Sequence, residues 1–160
     1  MKIKTGLGFD IHKLEKGRKL FLGGIEIPFP KGLVGHSDGD CLIHAIIDGL
    51  LGAAGEEDIG QLFPDTDPKY KDIRSTELLI ETVWKLKERK IEIINIDSII
   101  IAEEPKLASS IPQMKEILCP ILRVEKDDLG IKAKTYEGLG AIGQGKAIAA
   151  WVHVLVKEKK

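Results

Sequence analysis

The chain has 160 residues with 24 basic and 25 acidic side chains, and 43% of its residues are hydrophobic. This length and balance predict one folded domain, residues 1–160, whose core needs no disulfides. Its two cysteines, Cys41 and Cys119, are therefore expected to be reduced and buried. The net charge of −1 argues against a nucleic-acid partner. No apolar run approaches the roughly 20 residues that span a bilayer and no leader is evident, so we expect a cytoplasmic protein without a membrane partner.

Apolar periodicity and turn residues predict a mixture of strands and helices. We expect, in chain order, a strand over 2–11, a hairpin formed by 20–22 and 25–27, a helix from 38 or 39 to 54, a helix over 75–90, a strand over 91–102, a helix from 109 or 110 to 122, and strands over 128–137 and 147–156. Ser75 is predicted to cap its helix, and Trp84 and Trp151 are predicted to be core residues. The pattern indicates an α+β fold with a mixed sheet and its helices on one face.

The first long helix combines an apolar circumference with one polar stripe. Asp40, His44 and Asp48 are spaced four residues apart, so they lie on the same side of the helix. Because unpaired polar groups are costly to bury, we expect this stripe to face water, a metal ion or a ligand.

Asp10 and His12 are the clearest candidate metal ligands. Residues two apart on a strand point to the same face, and His44 would supply a third ligand from the polar stripe of the helix. Two imidazoles and one carboxylate suit Zn²⁺ and leave a fourth position open, as in catalytic zinc sites. The alternative is that these are three ordinary polar residues.

Three loops offer further candidates. The segment 36–40 could hold phosphate oxygens at a helix start or could be a simple cap, and the segment 63–67 could order around a ligand or form an Asx-type turn. The glycines at 138, 140 and 143 satisfy G-x-G-x-x-G, but a strand rather than a helix is predicted after them, which excludes a dinucleotide fold. Glu137, just before that turn, is a candidate ligand for Mg²⁺.

Five motifs in one order resemble a single family: GFDIH at 8–12, GHSDGD at 35–40, DIG at 58–60, FPDTD at 63–67 and IPQM at 111–114. From about residue 2 to residue 156 the chain resembles the 2-C-methyl-D-erythritol 2,4-cyclodiphosphate synthases of the non-mevalonate isoprenoid pathway. The resemblance implies a ferredoxin-like protomer, a homotrimer with active sites between neighbours, and a phosphorus–oxygen lyase. The implied reaction converts 4-diphosphocytidyl-2-C-methyl-D-erythritol 2-phosphate into the cyclic diphosphate and CMP, by attack of the 2-phosphate on the β-phosphate.

The resemblance also implies a role for particular residues. Asp10, His12 and His44 match the zinc ligands, Glu137 matches the ligand of a second ion, Mg²⁺ or Mn²⁺, and His36 and Thr135 match positions that assist the transition state. The positions that match the site of the methylerythritol and phosphate portion are Asp58, Gly60, Phe63, Pro64, Asp65, Thr66 and Asp67. Substrate contacts are also expected at Asp10, Ile11, His12, His36, Ser37, Asp38 and Ile59. The segment expected to receive the cytidine contains Ala102, Pro105, Lys106, Leu107 and Ala108, and further substrate contacts are expected at Lys134, Thr135, Tyr136 and Glu137.

The chain departs from the family pattern at two places. Lys134 stands where the family often has threonine, and the turn 143–147 reads GQGKA where the family has GRGEG, with Ala141 in place of a nearby Phe. In the family this second region lines an axial cavity of the trimer that accepts isoprenoid diphosphates, so we expect weak or no binding of those ligands here. The residues alone leave two other functions open, a metal-dependent phosphohydrolase that yields a linear product and a non-catalytic trimeric scaffold.

Overall fold

The fold combines one mixed sheet with a small hairpin and a layer of helices. A computed structural model of the chain describes residues 1–159. The strands within those residues are β1 (Lys2–Lys16), β2 (Leu20–Leu22), β3 (Ile25–Ile27), β4 (Lys31–Leu33), β5 (Ile91–Ile101), β6 (Leu129–Lys134) and β7 (Ala147–Glu158). The helices are α1 (Cys41–Ala54), α2 (Ile59–Leu62), α3 (Ser75–Glu88), α4 (Ile111–Leu122) and α5 (Gly140–Gly143).

The five-stranded sheet has the order β4-β1-β7-β5-β6. Only β5 and β6 are parallel, and the other neighbours are antiparallel. Strand β1 extends five residues beyond the predicted end, because it pairs with β7 over most of its length and then with β4 at its last three residues. Strand β7 therefore lies in the middle, which agrees with its prediction as an interior strand.

The core lies between one face of the sheet and the helices. Helix α1 packs over β1 and β7, α3 lies toward β5 and α4 toward β6. Gly6 and Gly8 permit the close approach of α1, since a Cβ atom at Gly8 would lie 1.8 Å from the carbonyl oxygen of Ala45. This contact holds α1 directly above the residues of β1 that follow Gly8.

The opposite face of the sheet is apolar and exposed. Leu7, Phe9 and Ile11 of β1 project from it, and the Phe9 ring lies 4.9 Å from that of Trp151 on β7. The prediction that Trp84 and Trp151 are core residues is wrong for the protomer, because 55% and 45% of their surfaces are exposed. Trp151 falls on the face away from the helices, and Trp84 lies on the outer side of α3.

The helices begin within three residues of the predicted positions, and α1 begins two or three residues later than predicted. Helix α1 begins after Asp40, whose side chain accepts a hydrogen bond from Ile43 N, and α4 begins after Ser110. Ser75 is the first residue of α3 and Arg74 occupies the cap position, so the predicted serine cap is wrong. The Ser75 hydroxyl is instead bonded to groups of other elements.

The cysteines and the lengths of the helices bear on two further predictions. Cys41 and Cys119 are free and buried, as predicted. Among residues 1–159, no helix is long and apolar enough to cross a membrane.

Candidate active site

Asp10, His12 and His44 converge at one end of α1. Asp10 Oδ2 lies 2.8 Å from His12 Nε2 and 3.2 Å from His44 Nδ1, and the two ring nitrogens are 3.1 Å apart. One ligand atom from each residue falls within 4.8 Å of the others. A carboxylate and two imidazoles at this spacing form a donor set that fits a divalent metal ion.

Hydrogen bonds at the far side of each imidazole fix which nitrogen faces the cluster. His12 Nδ1 donates to the Val34 carbonyl oxygen at 2.6 Å, which leaves Nε2 free to bind an ion. His44 Nε2 lies 2.8 Å from Ser75 Oγ and 3.1 Å from Ser37 Oγ, which leaves Nδ1 free. Such bonds orient metal-binding histidines and select their tautomer.

The cluster also shifts the pKa values of its members. Burial raises the pKa of Asp10, but hydrogen bonds and charge from His12 and His44 outweigh this effect and lower the pKa to about 2. Burial lowers the pKa of His12, but its contact with Asp10 outweighs that effect and raises the pKa above its ordinary value. The carboxylate is thus ionised at neutral pH and available to a cation.

Only one member of the predicted polar stripe reaches the cluster. Asp40 caps α1 and also accepts hydrogen bonds from Gly23 N and Gly24 N, so it anchors the turn of the β2–β3 hairpin. Asp48 accepts from Ile59 N at 2.8 Å and holds the start of α2. The expectation that the stripe faces water, a metal ion or a ligand is therefore wrong for Asp40, which is fully buried and bonded to backbone N–H groups. Asp48 is half-buried and keeps contact with solvent beside its bond to Ile59 N.

The cluster opens into a cleft of about 310 Å³. Two loops form its walls, the segment after β4 and the segment that contains α2. The lining residues are Asp10, His12, Gly35, His36, Ser37, His44, Ile59, Gly60, Phe63, Asp65, Tyr70 and Leu78. Six predicted substrate contacts therefore share one cavity with the candidate metal ligands: His36, Ser37, Ile59, Gly60, Phe63 and Asp65.

Internal bonds hold both loops in place. His36 Nε2 lies 3.1 Å from the Asp67 carbonyl oxygen, and Asp72 N donates to the His36 carbonyl oxygen at 2.8 Å. Asp58 and Asp67 each accept a hydrogen bond from a backbone N–H two or three residues further on. The Asx-type turn is thus present, and it lies within the wall of the cleft.

Ile11, a predicted substrate contact, lies on the exposed face of the sheet away from the cleft. The predicted residues of the segments 102–108 and 134–137 form a second group at another edge of the sheet. The segment 102–108 follows β5 and the segment 134–137 closes β6, so the carboxyl ends of two parallel strands meet there. Ala102 N donates to the Lys134 carbonyl oxygen at 2.9 Å. No residue of this group lines the cleft, and three strand spacings, about 14 Å, separate β6 from β1.

Glu103 and Ser75 support these two groups, although the sequence pattern indicated no role for Glu103 and only a helix cap for Ser75. The Glu103 carboxylate accepts from Tyr136 N and Gly138 N, which fixes the turn where Glu137 has a positive φ of 53°. Ser75 is fully buried and bonded to His44. A serine at a predicted helix start looks like a cap, so its pattern gave no signal of this second use.

The sheet, the helix layer and the three-residue cluster together define an α+β protein with a candidate metal centre. Residues 3–157 match the family model described as the YgbB family. The chain belongs to this family.

The matches to similar proteins cover nearly the whole of this chain. The 2-C-methyl-D-erythritol 2,4-cyclodiphosphate synthase of Caldicellulosiruptor bescii is 50% identical over 155 residues, which cover 97% of this chain and 99% of that protein. A solved structure of 2C-methyl-D-erythritol-2,4-cyclodiphosphate synthase with CDP bound is 38% identical, with a TM-score of 0.89 and coverage of 96% and 100%. The bifunctional IspDF of Campylobacter jejuni is 41% identical with a TM-score of 0.94, and the match spans 99% of this chain but 43% of that longer one.

Proposed function

We propose that the chain is a 2-C-methyl-D-erythritol 2,4-cyclodiphosphate synthase. Its reaction is the conversion of 4-diphosphocytidyl-2-C-methyl-D-erythritol 2-phosphate into the cyclic diphosphate and CMP. The observation that carries this proposal is the convergence of Asp10, His12 and His44 beside the 58–67 loop, in a chain 50% identical to an enzyme of that name. That a relative binds CDP is consistent with a cytidine nucleotide as the substrate class.

The metal is proposed to be Zn²⁺. Ligand atoms at zinc's bond lengths of about 2.0–2.1 Å lie about 3.3 Å apart in a tetrahedron, close to the 2.8–3.2 Å between these three residues. When bound, the ion supplies Lewis-acid polarisation of a phosphoryl oxygen. Asp10, His12 and His44 hold it at the head of the cleft, and Ser37 and His36 lie beside them.

The cleft is proposed to take the methylerythritol and phosphate end of the substrate. Ile59, Gly60, Phe63 and Asp65 line it, and the capped turns at Asp58 and Asp67 fix the loop before the ligand arrives. A rigid wall holds the 2-phosphate close to the β-phosphate, and this positioning accounts for much of the rate of an intramolecular reaction. No protein nucleophile is needed, since the substrate carries its own.

The second group is proposed to complete a site in a neighbouring protomer. Residues 102–108 would receive the cytidine, Glu137 would hold Mg²⁺ or Mn²⁺ on the diphosphate, and Thr135 would assist the transition state. Because this group and the cleft lie at different places in one protomer, a homotrimer that places them side by side is the proposed assembly. The exposed apolar face around Phe9 and Trp151 supports self-association, since it is a surface typical of interfaces.

The finer description of the protein follows the same proposal. The protomer is proposed to be a single ferredoxin-like domain over residues 1–160, and one hydrophobic core that joins the helices to the five-stranded sheet supports this unity. Its proposed location is the cytoplasm, where a soluble isoprenoid precursor would be made.

Phosphorus NMR with the diphosphocytidyl substrate tests the activity. We expect cyclic diphosphate and CMP with Zn²⁺ and Mg²⁺ present and no product after chelation. Loss of residues that support a metal ligand costs 10- to 100-fold, so the direct ligand variant Asp10→Asn should lower kcat/KM by at least roughly 100-fold.

Asp127→Asn is the matched control, because it removes the same charge from an exposed residue outside the cleft. It should retain the wild-type rate. A linear phosphate product would favour the phosphohydrolase instead, and a folded, metal-loaded protein without turnover would favour the scaffold.

A further inference from the structure

A chain of hydrogen bonds leads away from His44 on the side opposite the metal cluster. His44 Nε2 lies 2.8 Å from Ser75 Oγ, and Ser75 Oγ donates to Asp38 Oδ1 at 2.5 Å. The other oxygen of Asp38 accepts from Arg74 Nε at 3.2 Å and from Ser75 N at 2.9 Å. Ser75 is fully buried and only 3% of the Asp38 side chain is exposed, so the chain is shielded from water.

The proton positions along this chain follow from its chemistry. With His44 Nδ1 directed at the cluster, a neutral imidazole carries its proton on Nε2 and donates it to Ser75 Oγ. The serine hydroxyl has one proton, and the Asp38 carboxylate can only accept it. His44 thus donates to Ser75 and Ser75 donates to Asp38. The negative charge of Asp38 strengthens the second hydrogen bond directly and the first through the serine hydroxyl.

Ser37 is the competing partner of His44, but its geometry is weaker. Its hydroxyl lies 3.1 Å from His44 Nε2, compared with 2.8 Å for Ser75, and it also accepts a bond from Gly39 N at 3.3 Å. Within residues 1–159 Ser37 makes no bond to a carboxylate, whereas Ser75 contacts Asp38 through both its hydroxyl and its backbone N–H. The shorter, charge-assisted route therefore runs through Ser75.

Helix capping does not explain the buried hydroxyl of Ser75. The cap position of α3 belongs to Arg74, whose side chain makes no capping bond, and Ser75 already lies in the first turn. Its hydroxyl bonds only to His44 and Asp38 among the described residues. Because both bonds of this buried hydroxyl connect His44 with Asp38, its role is explained by its action on His44.

We propose that Ser75 and Asp38 are positioning residues that form a carboxylate–hydroxyl–histidine relay behind the metal site. The relay holds the His44 ring with Nδ1 toward the ion and raises its strength as a ligand, and Arg74 fixes the carboxylate. It extends the common carboxylate–histidine–metal arrangement by one hydroxyl group. The inference depends on the metal site of the proposed function.

The two histidines are therefore supported in different ways. His12 donates to a neutral backbone carbonyl of Val34, whereas His44 is connected to a buried carboxylate. Side-chain substitutions can remove the support of His44 but cannot remove that of His12. This asymmetry makes the relay open to a direct test.

Ser75→Ala is the test variant, and Ser98→Ala is its matched control. Ser98 is equally buried, and among the described residues its hydroxyl bonds only to the Gly130 carbonyl oxygen, at 2.7 Å. It belongs to β5, which β7 separates from the β1 strand of Asp10 and His12. The Kd for Zn²⁺ is measured by competition with a chromophoric chelator, and the visible spectrum is recorded with Co²⁺ in place of Zn²⁺. We expect a Kd raised roughly 10- to 100-fold and an altered Co²⁺ spectrum in Ser75→Ala, with both unchanged in Ser98→Ala.

A second pair of variants separates the relay from general loss of stability. If Asp38 acts through Ser75, Asp38→Asn should raise the Kd for Zn²⁺ in the wild-type background but have little further effect in the Ser75→Ala background. Ser37→Ala should raise it less than threefold. Urea unfolding of the metal-free variants shows whether each is folded before metal is added.

The outcomes distinguish the relay from the site itself. Wild-type protein that binds no Zn²⁺ would overturn the metal site and the relay with it. Tight wild-type binding with an unchanged Kd in folded Ser75→Ala would overturn the relay alone, as would equal losses in Ser75→Ala and Ser98→Ala or additive effects of the Ser75 and Asp38 changes.

Discussion

Two kinds of group form the candidate site: side chains that face the cleft, and groups behind them that keep those side chains in place. Asp10, His12 and His44 direct their ligand atoms inward, while Val34 and Ser75 bind the outer nitrogens of the two rings. Rigidity at the centre thus depends on residues that would never touch a substrate. Variants of Ser75 should change metal affinity before they change the fold.

Asp48 illustrates how a carboxylate can hold a loop and still lower the stability of the fold. Burial raises the pKa of Asp48, and the negative charge of Asp58 raises it further. The hydrogen bond from Ile59 N lowers the pKa, but not enough to cancel these two effects. The folded state therefore binds the proton more tightly than the unfolded state. The resulting cost is absent below the unfolded pKa of 3.8, grows as the pH rises through the folded pKa, and is fully present at neutral pH.

Asp48→Asn removes this titration and keeps an oxygen that can accept from Ile59 N. In chelator-treated protein we expect the variant to match the wild type near about pH 4 and to be more stable near about pH 7, by under about 1 kcal/mol because the group is partly solvated. Urea unfolding at both pH values checks the sign. A variant less stable at neutral pH would show that the loop needs the negative charge.

The residues of the site differ in how far the sequence could predict them. A period of two brings Asp10 and His12 to one face of any strand, so that pair was predictable. The partners of Asp40, Asp48 and Ser75 come from segments 11 to 37 residues away. Their identity depends on tertiary packing, and a local pattern of caps and stripes carries no information about it.

Among the elements, α1 and β1 position the site through an unusually close contact. A Cβ atom at Gly8 would overlap backbone atoms of Ala45, and backbone cannot move aside as a side chain can. Gly8→Ala should therefore destabilise the fold by more than about 3 kcal/mol and weaken metal binding, because it displaces the turn of α1 that carries His44.

Gly52→Ala is the control on the same helix. Apart from the adjacent residues and the backbone of α1 itself, no atom of the described residues lies within 4 Å of a Cβ at Gly52. Because alanine favours the helical state, this change should stabilise the protein by about 0.5–1 kcal/mol. Urea midpoints and Zn²⁺ stoichiometry measured on both variants check the pair. Equal stabilities would mean that the contact between α1 and β1 can relax.

The nine predicted strands and helices all form in the predicted order, the longer ones because their apolar periods are long. The structure adds β4, α2 and α5, which were not predicted. The ends of β1 and the short helices α2 and α5 were missed, since pairing with β4 and the turns of 58–62 and 140–143 depend on contacts between segments. Helix α5 lies in the segment predicted as a glycine turn. The absence of a dinucleotide fold follows all the same, because β7 comes next.

At the scale of the whole molecule, the exposed apolar face and the second group of residues are the two features that the proposed trimer interface would cover. Hydrophobicity marks Trp151 as a residue that avoids water, but it cannot distinguish burial within the protomer from burial between protomers. We expect sedimentation at micromolar concentration to give a trimer, and Phe9→Glu to give smaller species, because it adds charge to that face.

The expected weak binding of isoprenoid diphosphates, given Ala141 and Gln144, stays a prediction that calorimetric titration checks.

The separation of the two groups within one protomer also has a genetic consequence. If each site draws on two chains, an Asp10→Asn subunit and a Glu137→Gln subunit are each inactive alone, yet one of their junctions combines an intact cleft with an intact second group. Random co-assembly in equal amounts should restore about one quarter of the wild-type activity. Two null alleles of this one gene would then complement each other in a single cell, whereas no recovery from mixed trimers would mean that each protomer works alone.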